Sequence, residues 1–171
     1  MRIFLLVLAL FFVGCGYKPA SHMAKSVLGE KIYVDVEISI QDPQNSVLIK
    51  DAFKEAIVNR LNLHVVSKEE AQTLVSAKIN SVSFSPIIYD ADGYVTAYKT
   101  RVILGLDIIY EDGTKDFMNV SGNYDFTIEA NSVISDTKRF EAIKYASEDA
   151  LDEFVAAVSI KGIRKDVKHN Q

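Results

Sequence analysis

One cysteine stands alone among 171 residues. A disulfide within the chain is therefore excluded, and CxxC-type redox or zinc chemistry has nothing to work with. Histidine is equally scarce: His22, His64 and His169 lie far apart, and none has a second ligand at the spacing a zinc site requires. Nucleotide fingerprints are missing too, with no P-loop, no dinucleotide-binding glycine pattern and no GxSxG nucleophile elbow. Glu69/Glu70 reads as a solvated helix start and Asp107 as a residue on a solvated strand face. Asp90-Ala91-Asp92-Gly93 has part of a calcium loop but lacks its later oxygen ligands and closing Glu, and turn chemistry accounts for it. Without a nucleophile–base constellation the sequence predicts no catalytic residues, no metal and no cofactor. Tryptophan is absent, and no internal repeat is visible. No apolar run approaches the roughly 20 residues needed to cross a bilayer.

What is present begins with an address. Met1-Arg2 is positive, Ile3 to Val13 is wholly apolar, and Gly14 is small, which is the layout of a secretory signal peptide over residues 1–14. The signal ends in Gly14-Cys15, which resembles the lipobox of bacterial lipoproteins, with Phe12 where leucine is usual. The resemblance implies that Cys15 is acylated and becomes the mature N-terminus; the competing reading is a buried thiol at the end of a hydrophobic helix. By the sorting rule of enterobacterial lipoproteins, Gly16 points to the outer membrane, anchored by lipid and facing the periplasm. Removing residues 1–14 leaves 157 residues, enough for one domain. Arg2 is the only charge lost, so 18 basic against 23 acidic residues gives −5. That balance is wrong for a general nucleic-acid binder, which neutralises phosphates with Lys and Arg.

Residues 15–31 read as a lipidated tether, because Pro19, Ser21, Ser26 and Gly29 interrupt any apolar period. Extended, the residues from Gly16 to Lys31 reach ~50 Å at ~3.3 Å each. A single domain is expected over 32–160. Ile32 to Ile40 alternates as a strand, with Ile32, Val34, Val36, Ile38 and Ile40 on one face. Asp42-Pro43 starts a helix to about Leu61 that buries Val47, Ala52, Phe53, Ala56, Ile57 and Leu61. Leu63 to Val66 is a short edge strand or an extended connection, and Ser67-Lys68-Glu69-Glu70 has capping-box spacing for a helical turn. From Thr73 to Tyr89 alternation resumes, but Val75, Ala77 and Ile79 are out of parity with Val82 and Phe84, which predicts a β-bulge near Asn80-Ser81. Turns at Tyr89–Tyr94 and Asp112-Gly113 bracket a long strand carrying Val102, Leu104, Leu106, Ile108 and Tyr110. The return strand carries Met118, Val120, Tyr124, Phe126 and Ile128, with Gly122 between them. Ser135-Asp136 opens a last helix with Phe140, Ile143, Ala146, Ala150, Leu151, Phe154 and Val158 as its stripe. Gly162 is its expected stop, leaving 161–171 as a basic mobile tail. The order β-α-β-β-β-α predicts an α/β (α+β) two-layer sandwich, with two helices on one face of a roughly four-stranded mixed sheet.

One segment invites a functional reading. In Tyr94 to Arg101, Lys99 and Arg101 take the parity opposite Val102, Leu104 and Leu106 and so point to the outer face. Charged strand surfaces are routine protection against edge pairing; the sharper reading is contact with phosphate groups or an acidic partner surface.

The chain as a whole resembles the LptE lipoproteins of lipopolysaccharide assembly, particularly those of the Campylobacter–Helicobacter branch. The resemblance rests on Cys15-Gly16-Tyr17-Lys18-Pro19, the Ile32–Ile40 strand, Ile49-Lys50-Asp51-Ala52-Phe53, Asp92-Gly93-Tyr94-Val95, and the closing Ala142-Ile143 … Ala150-Leu151-Asp152-Glu153-Phe154 helix. It implies two helices against a four-stranded sheet and a protein that plugs the outer-membrane β-barrel LptD, in a 1:1 complex. It also implies help in delivering lipopolysaccharide to the outer leaflet, by binding and not by catalysis. Lys99 and Arg101 would then be candidate contacts for lipid A phosphates. A different class, the lipoprotein activator of a peptidoglycan synthase, needs a long spacer to reach the cell wall, which a tether of ~50 Å does not supply.

Overall fold

The computed structural model describes residues 20–37 and 43–169. The order is α1 (Ala20–Leu28), β1 (Lys31–Val36), α2 (Pro43–Asn59), β2 (His64–Val65), β3 (Thr73–Tyr89), β4 (Val95–Ile109), β5 (Lys115–Thr127) and α3 (Asp136–His169). The strands form one mixed sheet in the order β2-β1-β3-β4-β5, with β1 parallel to both its neighbours and β3, β4 and β5 antiparallel in sequence. The two-layer α/β class is as read from the sequence, with a fifth strand because Leu63–Val66 supplies β2.

Alternation decides which sheet face meets the helices. Ile32, Val34 and Val36 of β1, Val75 and Ala77 of β3, and Val102, Leu104, Leu106 and Ile108 of β4 are all buried on one face. Onto them fold Ile49, Phe53 and Ile57 of α2 and Ile143, Ala146, Ala150, Leu151 and Phe154 of α3. Phe53 and Phe154 meet edge to face, ring centres 5.5 Å apart, and join the two helices over the sheet. An Arg60–Asp152 ion pair ties the same helices at the surface.

The predicted bulge is present: pairing with β4 shifts between Ile79 and Ser81, so Val82 and Phe84 return to the core side. Both turns form as expected. Asp90 Oδ1 accepts the backbone N–H groups of Asp92 and Tyr94 at 3.0 and 2.8 Å, and Gly93 and Gly113 take positive φ.

Four expectations are corrected. The tether is not irregular throughout, because Ala20–Leu28 is helical, with Ala24 and Leu28 fully buried and α1 packed on α3. Its two buried apolar residues are four apart, which is enough for one face of a short helix but too little to register as a sustained period. The tail is not separate either: α3 continues through Gly162, which is buried inside it, to His169. Val47 is 50% exposed, and Ile49 takes the core position instead. Ser67 to Glu70 closes as a turn, Glu70 N–H donating to the Ser67 carbonyl at 3.2 Å, and no helix follows. The signal, Cys15, and residues Ile38 to Asp42 lie outside the described residues.

Candidate functional site

The helices cover one face of the sheet and leave the other open. Along β4 the even-numbered residues from Val102 to Ile108 point inward, so Lys99, Arg101, Ile103, Gly105 and Asp107 point outward. Register with β5 sets Asp125 opposite Lys99 and Asn123 opposite Arg101. Lys99 Nζ lies 3.7 Å from Asp125 Oδ2, and Arg101 Nη2 donates to Ser121 Oγ at 3.5 Å. Lys99 and Arg101 are thus exposed on one face, as the strand parity predicts, but Lys99 is partly neutralised and Arg101 is held by a hydroxyl. Asp125 was legible in the sequence: counting outward from the Asp112 turn puts Lys99 and Asp125 at equal distances along a hairpin.

A second feature of this face was missed. Asn80 Nδ2 donates to Asn119 Oδ1 at 2.8 Å, although β4 lies between their strands. The bridge passes over Gly105, where a Cβ would stand 2.8 Å from Asn80 Nδ2. The bulge turns Asn80 outward beside Ser81, and the missing side chain at Gly105 leaves the path clear. With Ser76, Ser83, Ser85 and Ser121 on the same parity, hydroxyls and amides surround Lys78, Arg101 and Ile103 in the middle of the face. Such a surface forms many weak polar contacts and keeps its water in the absence of a partner.

The β5 edge of the sheet is not a free pairing template. On β5, Ser121 N–H donates to Glu153 Oε2 at 2.6 Å and Asn123 N–H to Asp149 Oδ2 at 2.9 Å, so α3 carboxylates occupy edge donors. On β3 the Ala77 carbonyl accepts from Glu37 N–H and so faces the β1 side. The bulge moves that orientation to the even residues, which puts Pro86, with no N–H to offer, on the side of β3 away from β4.

At the opposite end, where β4 turns into β5, the Tyr110 hydroxyl donates to Asp116 Oδ2 at 3.3 Å, and the Lys161 ammonium of α3 binds the same oxygen. The bond from Lys161 holds the Asp116 carboxyl below its ordinary range. Partial burial, then the Asp116 charge, pushes the Tyr110 phenol up to about 12. This trio sits where α3 crosses the start of β5 and is a structural clamp.

The remaining candidates stay apart. His64 is exposed in β2, and the side chains of His22 and His169 lie outside the described set. Asp107 is exposed on the open face, as its parity requires. Among the described residues no three His, Cys, Asp or Glu side chains gather as a metal site, and no helix is long and apolar enough to cross a membrane.

The fold has known company. It is similar to a lipoprotein from Caulobacter crescentus CB15, with 7% identity and a TM-score of 0.53, covering 84% of this chain and 96% of that one. It is similar to a minor lipoprotein from Acinetobacter baumannii, with 8% identity and a TM-score of 0.50, covering 77% and 92%. At such identities the likeness is one of fold. No curated protein sequence matches the chain. The family model for LptE, lipopolysaccharide-assembly, matches residues 33–158. That span runs from β1 into α3 and takes in the whole open face, so the chain belongs to the LptE lipopolysaccharide-assembly family.

Proposed function

We propose that this protein is an outer-membrane lipoprotein, acylated at Cys15, that occupies the lumen of the LptD β-barrel as a 1:1 partner. There it assists barrel assembly and delivery of lipopolysaccharide to the outer leaflet. The family match over residues 33–158 carries the reading. The open face supports it: a hydroxyl- and amide-lined sheet suits a polar, water-filled barrel interior better than it suits lipid. The chain works by occupancy, and no bond is made or broken.

The start of α1 strengthens the case for a short leash. Only five residue steps separate Cys15 from Ala20, a reach of ~17 Å at ~3.4 Å each. That keeps the domain against the membrane holding the lipid and disfavours the spacer-dependent synthase activator. Of the two candidate phosphate contacts, Arg101 is the stronger. Its guanidinium is held by a hydroxyl, whereas Lys99 already faces a carboxylate.

The test is depletion of the protein followed by assay of barrel folding and surface lipopolysaccharide, together with co-purification from detergent-solubilised outer membrane. A large barrel retained with the wild-type chain, and lost surface lipopolysaccharide on depletion, are expected. Retention of a penicillin-sensitive synthase in place of a barrel would overturn the reading. For the phosphate contacts, Lys99→Glu with Arg101→Glu is expected to weaken lipopolysaccharide binding at least tenfold; unchanged binding by the folded double variant removes those two residues from the proposal.

A further inference from the structure

α3 does not stop where the sheet stops. Its contacts with β5 run in opposite order along the two elements: Asp149 accepts from Asn123 N–H, Glu153 from Ser121 N–H, and Lys161 binds Asp116, the second residue of β5. The helix therefore reaches the base of the sheet at Lys161, and the residues from there to His169 carry it ~12 Å further at ~1.5 Å each. α1 arrives at the same end. It packs on α3, and its last residue, Leu28, accepts from the hydroxyl of Thr73, the first residue of β3. Register places the start of β3 beside the end of β4 and the start of β5, so all of these lie at one base.

The overhang differs in charge from the rest of the chain. Lys161, Arg164, Lys165 and Lys168 fall at i, i+3, i+4 and i+7, a single stripe of a helix, and Asp166 is the one acid among residues 161–171. Residues 15–160 hold 14 basic residues against 22 acidic. A second stripe is apolar. Val158 and Gly162 are buried, and Ile160, turned about 200° from each, is 50% exposed. Ile163 and Val167 follow Ile160 at the spacing that returns to its side of the helix. Cations in the last turn of a helix complement its dipole, an effect that fades beyond that turn. Lys161, Arg164 and Lys165 lie before the last turn, and the dipole gives no reason for an apolar stripe.

A basic stripe beside an apolar one is the pattern of a helix that lies in the interface of an anionic bilayer. Among the described residues no helix is long and apolar enough to cross a membrane, so the contact is along the surface. Placement favours a bilayer over an acidic protein. Cys15 lies five residue steps before Ala20, within ~17 Å of it, so a lipid there holds this end of the domain beside the headgroups. Lys161 is engaged with Asp116, which leaves Arg164, Lys165 and Lys168 as the charges assigned to the membrane.

We propose that the end of α3 is a second membrane anchor: Arg164, Lys165 and Lys168 bind the phosphates of anionic phospholipids in the leaflet that holds the Cys15 lipid, and Ile160, Ile163 and Val167 enter its headgroup layer. This rests on the acylation of Cys15 in the proposed function and adds to it the surface that fixes the base of the domain to the membrane. The experiment attaches an environment-sensitive fluorophore to Ile163→Cys, or to Val47→Cys at the start of α2 as a control, in the mature chain purified from the native membrane. With Cys15 acylated, the introduced thiol is the one free to react. The labelled chain is reconstituted in vesicles of phosphatidylethanolamine with phosphatidylglycerol, of phosphatidylcholine, or of phosphatidylcholine with lipopolysaccharide, and quenching by brominated lipid is read. Expected is quenching at Ile163→Cys in the phosphatidylglycerol vesicles and none at Val47→Cys. Neutral vesicles should reduce it roughly fivefold, as should Arg164→Glu, Lys165→Glu, Lys168→Glu, which leaves Lys161 on Asp116. Equal quenching in neutral vesicles, or in the folded triple variant, overturns the phospholipid contact and leaves the proposed function standing. Quenching that requires lipopolysaccharide overturns it in favour of that lipid. A label quenched in no vesicle but shielded from an aqueous quencher in the detergent-purified barrel complex overturns it in favour of a protein contact. Uptake of the label by the wild-type chain would show Cys15 to be free, and overturns the lipid anchor of the proposed function together with this one.

Discussion

Gly122 of β5 lies against the backbone of α3 at Ala146: a Cβ on Gly122 would stand 2.0 Å from the Ala146 carbonyl oxygen and 2.2 Å from the Ala150 amide nitrogen. The helix can approach this closely only because the strand has no side chain there and the helix presents alanines. The same approach brings Asp149 and Glu153 within reach of the β5 edge. One glycine thus sets both the spacing between the layers and the protection of that edge.

Gly122→Ala is expected to push α3 off the sheet and cost about 3 kcal/mol or more, since the atoms in the way are backbone and cannot rotate aside. Urea denaturation measures it. Gly93→Ala is the comparison, because its Cβ would enter open space and only its φ of +85° opposes it, so a loss nearer about 1 kcal/mol is expected there. Equal losses at the two sites would refute the close-packing account.

The carboxylates on the β5 edge are expected to act more on association than on stability. Both are exposed, so the Asp149→Ala, Glu153→Ala variant should lose only about 1 kcal/mol. Its freed Ser121 and Asn123 donors should increase self-association in concentration-dependent light scattering. Pro86→Thr, which restores an N–H on the side of β3 away from β4, is expected to act in the same direction. A double variant that stays monomeric at every concentration would show that the carboxylates are incidental.

Thr100 supplies a prediction of opposite sign. Its hydroxyl is fully buried on the helix side of β4, between Phe84 and Tyr124 across the sheet, and has no hydrogen-bond partner among the described residues. Thr100→Val keeps the shape and removes the unpaired group, so a gain of about 1 kcal/mol is expected by thermal or urea unfolding. A loss of stability would mean that the hydroxyl is satisfied.

The Tyr110–Asp116–Lys161 clamp sets a pH dependence at each extreme. Tyr110 has a folded pKa raised from 10.0 to about 12, so its contribution is complete below pH 10 and lost as pH rises through 12. Its partial exposure holds that contribution to about 1 kcal/mol after solvent screening. Asp116 has a lowered folded pKa, so its contribution is present above the ordinary carboxylate range and lost as acid protonates it. Near-ultraviolet titration of tyrosinate should show a phenol with a midpoint near 12 that moves toward 10 in Asp116→Asn. An unchanged late midpoint in that variant would assign the shift to burial alone.

The division between sequence and structure follows from the range of the forces involved. Local periodicity determined the long strands, the bulge at Asn80-Ser81, both turns and the start of α3, because each depends on neighbours within a few residues. It also put Lys99 and Arg101 on one outer face. It misjudged α1 and the end of α3, where Ala24, Leu28 and Gly162 become buried only once helices from opposite ends of the chain pack together. Tertiary structure alone decided that Asn80 reaches Asn119 across Gly105, that α3 carboxylates cap β5, and that Ile88 and Tyr89 at the β3–β4 tip are exposed. Each of these depends on which strands and helices become neighbours, and a single strand's alternation has no means of encoding it.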